Sequence, residues 1–412
     1  MTRELDAGAL ELGGGLEVLL AASIDPMQPG ARLLVRTPSR ATAYELHGWA
    51  RRAGHRAVAE RLPDGGPYEL EIERGAHRGV LADPLPARAS GPKPADGRMR
   101  TSELRWQAEV PASTPASCGF APLGSIPELG APRFDWTLND RDRIWADDVA
   151  ELVDQAGAAQ WDAASAVPWD AALELPEFME RAVSQVMTFI AQNEYAALYV
   201  PARFLPGVNP AFPEMVMWLS RHVHDEARHI EVFTKRSLIG GQASYSLAST
   251  ELSLHSLLEE HDFSGCALLL NVLGEGTFLD LLQFVDQHAP DAATRAAAAL
   301  AHRDEVRHVH FGISHVRRRI ALDPAERAAL VAVAERRASK LTQMSGLSPL
   351  LVEGLTIMAA GSLQPAELSH GADAVKGLMK TMETNRLKRL AAAGFDPQTA
   401  QYLSDLHTPN LM

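Results

Sequence analysis

The chain has 412 residues with 39 Lys and Arg against 52 Asp and Glu, a formal net charge of −13, and 46% apolar residues. That apolar share supports a sizeable core and excludes a disordered chain. The acidic balance, with no basic stripe, excludes a nucleic-acid binder, whose phosphate contacts demand a basic face.

In chain order, the start MTRELDAGALELGGG has neither the basic opening nor the apolar run of a signal peptide, and no later run approaches bilayer-spanning length. A cytoplasmic protein with no membrane partner is expected. The Leu-Gly-Gly-Gly of that stretch lacks the Gly-Lys-Ser/Thr ending of a phosphate loop and reads as a turn. From about Leu16 to Val80 the pattern is that of a small α/β unit. ARLLVRT and YELEIERG are rich in strand formers and bounded by turn residues, and SRATAYELHGWARRAGH between them has helical spacing, a serine start and a glycine stop.

The order GLEVLLAAS helix, PGARLLV strand, helix, then AGHRAVAERL and YELEIERG strands resembles the small TusA-like sulfur-carrier fold. Families of that fold carry a persulfide on a Cys-Pro pair near the first helix. Here the corresponding stretch is LGGGLEVLL, and no cysteine precedes Cys118, so the resemblance implies a docking or substrate-presenting module without sulfur-transfer chemistry. Cys118 and Cys266 allow one bridge at most and form no CxxC pair; Cys266, in SGCALLLNVL, is expected to pack as a small apolar residue.

From about residue 83 to 132 the chain is rich in Pro, Ala, Gly and Ser, as a linker is. RDRIWADDVAELVDQAGAAQW then opens a helical region that runs almost to the end. Four long helices are predicted, over roughly Pro176 to Phe204, Ala211 to Leu238, Phe263 to His288 and Ala292 to Ile320. The first and third each hold an acid among apolar neighbours, Glu194 and Glu275, which is costly to bury unpaired. The second and fourth carry one pentad twice: Asp225-Glu226-Ala227-Arg228-His229 and Asp304-Glu305-Val306-Arg307-His308.

Three residues apart on a helix, Glu226 and His229 share a face, as do Glu305 and His308. Two lone glutamates and two Glu-x-x-His pairs from four helices are the ligand set of dinuclear carboxylate bundles. The predicted ligands are therefore Glu194, Glu226, His229, Glu275, Glu305 and His308. Four carboxylates against two divalent ions leave a filled site formally neutral, whereas an empty one crowds like charges in a low dielectric. Oxygen-rich ligation with imidazole suits iron, or a manganese–iron pair, better than tetrahedral zinc. Asp225 and Asp304 are expected to accept the other N–H of each histidine across the bundle, with Arg228 and Arg307 balancing them. Of His222, His224, His302, His310 and His315, only His222, one turn before Glu226, is kept as an outer contact.

With the lone glutamate before each pentad, this pattern resembles the non-haem diiron oxygenases of the ferritin-like superfamily, especially bacterial multicomponent monooxygenase hydroxylases and the ribonucleotide reductase small subunit, over roughly residues 178–319. AAQWDAASAVPWD and SDLHTPNLM are similar to segments of less characterised bacterial ferritin-like oxidases and specify no chemistry. The hydroxylases place a threonine one turn after the third-helix glutamate; Leu279 stands there, with Thr277 two residues after Glu275.

The expected fold class is α+β: a TusA-like α/β domain over 1–82, a linker over 83–132, and a large all-α ferritin-like bundle over 133–412. The expected activity is dioxygen-dependent hydroxylation, N-oxygenation or desaturation of a small organic molecule at two iron ions. No flavin, nicotinamide or iron–sulfur signature is present, so an external reductase or ferredoxin is implied; a homodimer is compatible. The rival readings are iron storage and radical generation, the latter requiring Tyr195 or Tyr199 close to a metal.

Overall fold

The computed structural model describes residues 2–76, 96–103, 111–122, 132–172, 174–241, 244–341 and 348–407. Most of the predicted linker over 83–132, and the last residues of SDLHTPNLM, lie outside them. The chain divides into two compact units, Met1–Ala89 with Thr114–Asp135, and Ser90–Ser113 with Trp136–Met412.

The first unit is a four-stranded mixed sheet with two helices. Strands β1 (Thr2–Asp6), β2 (Arg32–Thr37), β3 (Arg56–Arg61) and β4 (Tyr68–Glu73) lie in the order β1-β2-β4-β3, with helices α1 (Leu16–Ile24) and α2 (Arg40–Arg52) in between. β1 pairs parallel to β2, and β4 runs antiparallel to both β2 and β3. In β2, Leu33 and Val35 point into a core shared with Leu16, Leu20, Leu46, Leu70 and Ile72. The outward Arg36 pairs with Glu69 of β4 at 2.8 Å, the cross-strand pattern a half-buried sheet favours. Ser39 caps α2 by accepting the Thr42 amide at 3.2 Å. Strand β1 falls within the expected 1–82 domain but is not among the elements read from the sequence, which begin at Leu16. TRELD has one apolar residue in five, so no alternation marks it, and its partner is thirty residues away in the chain.

The second unit is helical. Helix α3 (Val149–Ala158) precedes the long α4 (Glu177–Phe204) and α5 (Pro213–Ile239); then come α6 (Ala248–Leu258), α7 (Phe263–Cys266), a π-helical segment Ala267–Glu275, α8 (Gly276–Gln287) and α9 (Ala292–Leu322). Helices α10 (Glu326–Leu341), α11 (Pro349–Ala360), α12 (Pro365–Ala392) and α13 (Pro397–His407) complete it. The four predicted helices correspond to α4, α5, the rod α7–π–α8 and α9, with ends displaced by a few residues. Their starts follow local chemistry: Pro213 opens α5, and Asp262 and Asp291 cap α7 and α9 by accepting the amides of Gly265 and Thr294.

The rod Phe263–Gln287 is long and apolar enough to cross a membrane, but 89% of its apolar window is buried within the unit. Its winding departs from the predicted uniform α-helix. Gly312 of α9 lets the π segment approach closely, since a Cβ there would run into the Asn271 side chain and meet the Ala267 carbonyl at 3.3 Å. Away from the centre, the fully buried Arg236 of α5 ties three helices together, with Nη1 2.6 Å from Glu180 of α4 and Nη2 2.7 Å from Asp291 at the head of α9. Removing one partner of such a desolvated set costs about 3–5 kcal/mol.

Candidate metal centre

Helix α4 supplies Glu194, α5 supplies Glu226 and His229, the end of the π segment supplies Glu275, and α9 supplies Glu305 and His308. The structure brings all six together in the middle of the helical unit, each at most 4% exposed. It adds His222 of α5, four residues before Glu226 and so on the same face.

Two groups of potential ligand atoms form, each within 4.8 Å: His222, Glu226, Glu275 and His308 in one, Glu194, Glu226, His229 and Glu305 in the other. Glu226 belongs to both. Its Oε1 lies 2.9 Å from His308 Nδ1 and 3.2 Å from His222 Nε2, and its Oε2 lies 3.2 Å from His229 Nδ1. Glu305 spans the same gap, with Oε1 3.3 Å from His229 Nδ1 and Oε2 3.4 Å from His308 Nδ1. The two carboxylates thus stand between the two halves, where bridging ligands of an ion pair stand, while Glu194 and Glu275 flank them.

Several buried polar atoms at this point have no hydrogen-bond partner: Glu194 Oε1, Glu226 Oε1, Glu305 Oε2 and both ring nitrogens of His308. Orphans of this kind are rare in folded proteins and call for an ion or water. Four carboxylates and three imidazoles satisfy the demands of two oxygen-preferring ions, so the residues fit a metal pair.

Protonation reflects the same crowding. Burial, then the charge of Glu226, raises the Glu194 carboxyl well above its ordinary value, and burial raises Glu275 as well. Glu226 goes the other way: burial opposes ionisation, but the imidazoles of His229 and His308 outweigh it and hold the carboxyl well below the usual range. Burial disfavours the imidazolium forms of those histidines, yet the surrounding carboxylates raise both well above normal. Without an ion, protons on His229 and His308 supply the positive charge that the carboxylates require.

Behind the histidines lies a ring of four charges. His229 Nε2 is 3.3 Å from Asp304 Oδ2, and His308 Nε2 is 3.4 Å from Asp225 Oδ2, each histidine facing the aspartate of the other pentad. Arg228 pairs with Asp225 and reaches Asp304 at 3.0 Å; Arg307 pairs with Asp304 and reaches Asp225 at 3.3 Å. Burial opposes the ionised form of both aspartates, but the histidines and arginines hold their carboxyls below the ordinary range.

Three contacts escaped the sequence reading, while His222, expected as an outer contact, stands inside one cluster. Trp161 Nε1 donates to Asp304 Oδ2 at 2.7 Å, with its ring stacked on His229 and under Arg228. Gln160 Oε1 accepts from Arg228 Nη1 at 2.6 Å. Asn271 Nδ2 donates to Glu275 Oε2 at 2.6 Å and fixes that carboxylate. The other histidines stay outside: His224 and His310 are exposed, His302 is half-buried, and His315 is buried between Ser264 and the Trp145 carbonyl. Tyr195 and Tyr199 are 47% and 53% exposed, so neither is the ordered tyrosine beside a metal that the radical reading requires. Cys266 is buried, as expected, but lies beside the Arg203 guanidinium rather than among apolar groups alone.

A small, largely apolar pocket borders the centre, with Glu194, Glu275 and Glu305 in its wall together with Ala196, Ala197, Leu270 and Phe278.

No family model and no curated protein matches the sequence. Among solved structures, the chain is similar to an R2-like ligand-binding oxidase variant with an aerobically reconstituted Mn/Fe cofactor, at 16% identity and TM-score 0.46, over 60% of this chain and 94% of that one. A variant of that oxidase with an Fe/Fe cofactor gives the same four values. A protein with aldehyde deformylating oxidase activity from Synechococcus shares 16% identity at TM-score 0.40, over 55% of this chain and 96% of that one. At such identities and scores these likenesses add nothing to the case for the metal centre, which rests on the side chains.

Proposed function

We propose that this protein is a cytoplasmic dioxygen-dependent oxidase of a small organic substrate, with a ferritin-like helical domain that holds two iron ions through Glu194, Glu226, His229, Glu275, Glu305 and His308. The observation that carries this reading is the pair of buried His/Glu clusters joined by Glu226 and Glu305, with unsatisfied ligand atoms, beside an apolar cavity. A mixed manganese–iron pair is the alternative metal content.

When bound, the ions supply the electrons and the Lewis acidity for activating dioxygen and oxidising the substrate. The chain's residues do the rest. Glu226 and Glu305 fix the spacing of the two halves; Asp304 accepts from His229 Nε2 at 3.3 Å and so turns Nδ1 to the centre, and Asp225, 3.4 Å from His308 Nε2, stands in the matching place on the other half. The apolar wall excludes water and admits a hydrocarbon body next to the glutamates. Thr277 Oγ1 donates to the Leu273 carbonyl at 2.7 Å, and the half-buried Leu279 carries no proton, so a threonine-based proton path at that turn is not part of this reading.

Electrons come from an external reductase or ferredoxin. We assign residues 1–82 to docking that partner or presenting substrate, 83–132 to the linker, and 133–412 to catalysis. The TusA-like resemblance enters only as a docking fold, because both cysteines of the chain are buried and neither lies in 1–82.

The test is anaerobic titration of the purified protein with Fe(II), counting ions per chain, followed by mixing with dioxygen while absorbance is monitored. About two irons per chain and an oxygen-dependent absorbance change are expected, both lost in Glu226→Ala because that residue serves both halves. A mineral of many irons per chain would favour storage. Tight zinc with no response to dioxygen would end the oxidase reading.

A further inference from the structure

Among the described residues, a buried arginine of α10 forms no ion pair. Arg337 of α10 is 6% exposed and lines the same cavity as Glu194, Glu275 and Glu305. Several other buried arginines face acids: Arg236 faces Glu180 and Asp291, Arg228 and Arg307 face Asp225 and Asp304, and Arg389 faces Asp280, while Arg386, away from this cavity, donates to Ser404 Oγ at 3.0 Å. Arg337 instead meets two hydroxyls of α6. Its Nε donates to Ser256 Oγ at 3.2 Å and its Nη2 to Ser253 Oγ at 3.1 Å; Ser256 Oγ in turn donates to the Ser253 carbonyl at 2.6 Å. No carboxylate of the described residues forms an ion pair with it.

Burial pushes this guanidinium down to about 10, which still leaves it charged at neutral pH. A desolvated charge without a partner is expensive, and the fold keeps this one oriented rather than neutralised. The two serines hold one edge of the fork and leave N–H groups of a five-donor side chain for something else. The cavity beside it is apolar, with Leu254, Leu257, Leu270 and Phe278 in its wall.

We infer that the substrate is an amphiphilic monocarboxylic acid, whose carboxylate pairs with Arg337 and whose hydrocarbon body occupies the cavity against the centre. This rests on the metal-centre reading for its consequence, though not for the binding itself. A planar carboxylate matches the guanidinium fork and restores neutrality with one charge, which a phosphate dianion does not. Because Arg337 lies beyond ion-pair reach of Glu194, Glu275 and Glu305, the acid group is held away from the ions it would otherwise ligate. The apolar part of the molecule is then what the centre oxidises.

The test uses the full-length protein loaded with Mn(II), with octanoate, octanamide and octyl phosphate titrated by calorimetry and ion content measured in the same samples. Octanoate is expected to bind at least ~10-fold more tightly than octanamide, the difference one charge-assisted pair makes. Arg337→Met should abolish that preference with ion content unchanged and a cooperative thermal transition retained, and Arg337→Lys should restore part of it. Equal binding of octanamide, no binding of octanoate, or an unchanged preference in Arg337→Met would each overturn the inference. Tighter binding of octyl phosphate would overturn its carboxylate assignment. If the preference appears but no ion binds, the metal reading fails while the acid site stands.

Discussion

The two pentads share every residue type except the third, yet they sit in unlike surroundings. Four residues before Glu226 stands His222, in the ligand cluster; four residues before Glu305 stands Ala301, which is buried and offers no ligand atom. Arg228 gains Gln160 and Trp161 as partners, whereas Arg307 gains only the Arg303 carbonyl of its own helix. Behind the histidines the four-charge ring is reciprocal, each aspartate serving the opposite pentad. The repeat therefore sets what the halves have in common, and the flanking residues make them different. One half has two imidazoles, His222 and His308, and the other has His229 alone among oxygen donors.

The strongest way to break this comparison is to remove the extra imidazole. His222→Ala should leave one ion tightly held and weaken the other by a factor on the order of 10–100, comparable to losing a strong orienting contact. Stepwise metal release monitored by a chelator would show it. Equal weakening of both ions would mean that His222 acts on the centre as a whole. Supplied with both metals, the oxygen-rich half should take manganese and the imidazole-rich half iron. Electron paramagnetic resonance of the mixed protein, with and without His222→Ala, sharpens the contrast.

Thermal stability should separate the filled from the empty centre. In the metal-free protein Glu194, Glu275, His229 and His308 all have raised values, so the stabilisation from their protonated forms is present at low pH and lost as pH rises through those values. Metal-free melting temperature is thus expected to fall as pH rises above the ordinary glutamate and then the ordinary histidine range, while metal-loaded protein should be flat or rise, since ion binding is proton-releasing. Asp225 and Asp304, held low, contribute in the opposite sense and only below that window. Parallel curves would mean that the carboxylates are not the ion's ligands.

The smallest effect concerns the loop before α4. Trp161→Phe removes one hydrogen bond to Asp304 and keeps the ring, so a cost of about 1 kcal/mol is expected at the His229 half only. Metal affinity measured half by half would register it.

The six candidate ligands could be picked out because Glu-x-x-His on a helix is a local pattern and four long amphipathic segments announce themselves. His222 was picked out by its one-turn spacing from Glu226, but only as an outer contact, because spacing does not say how deep a side chain lies. Trp161 meets Asp304 across 143 residues of chain, a contact that no local pattern encodes. Arg337 carries no local mark in the sequence, because its burial depends on the packing of α10 against α6. Strand β1 was invisible for the same reason: its partner, rather than its composition, makes it a strand.

The π segment has one more consequence. Each of its turns carries one residue more than an α turn, so the rod before Ala267 and the rod after Glu275 are out of phase with each other. Glu275 faces His222 because of where that phase slip ends. Its aim is stored in the winding of the backbone upstream, and losing any single residue between Ala267 and Gly274 would swing a neighbour into its place while leaving the sequence of the pentads untouched.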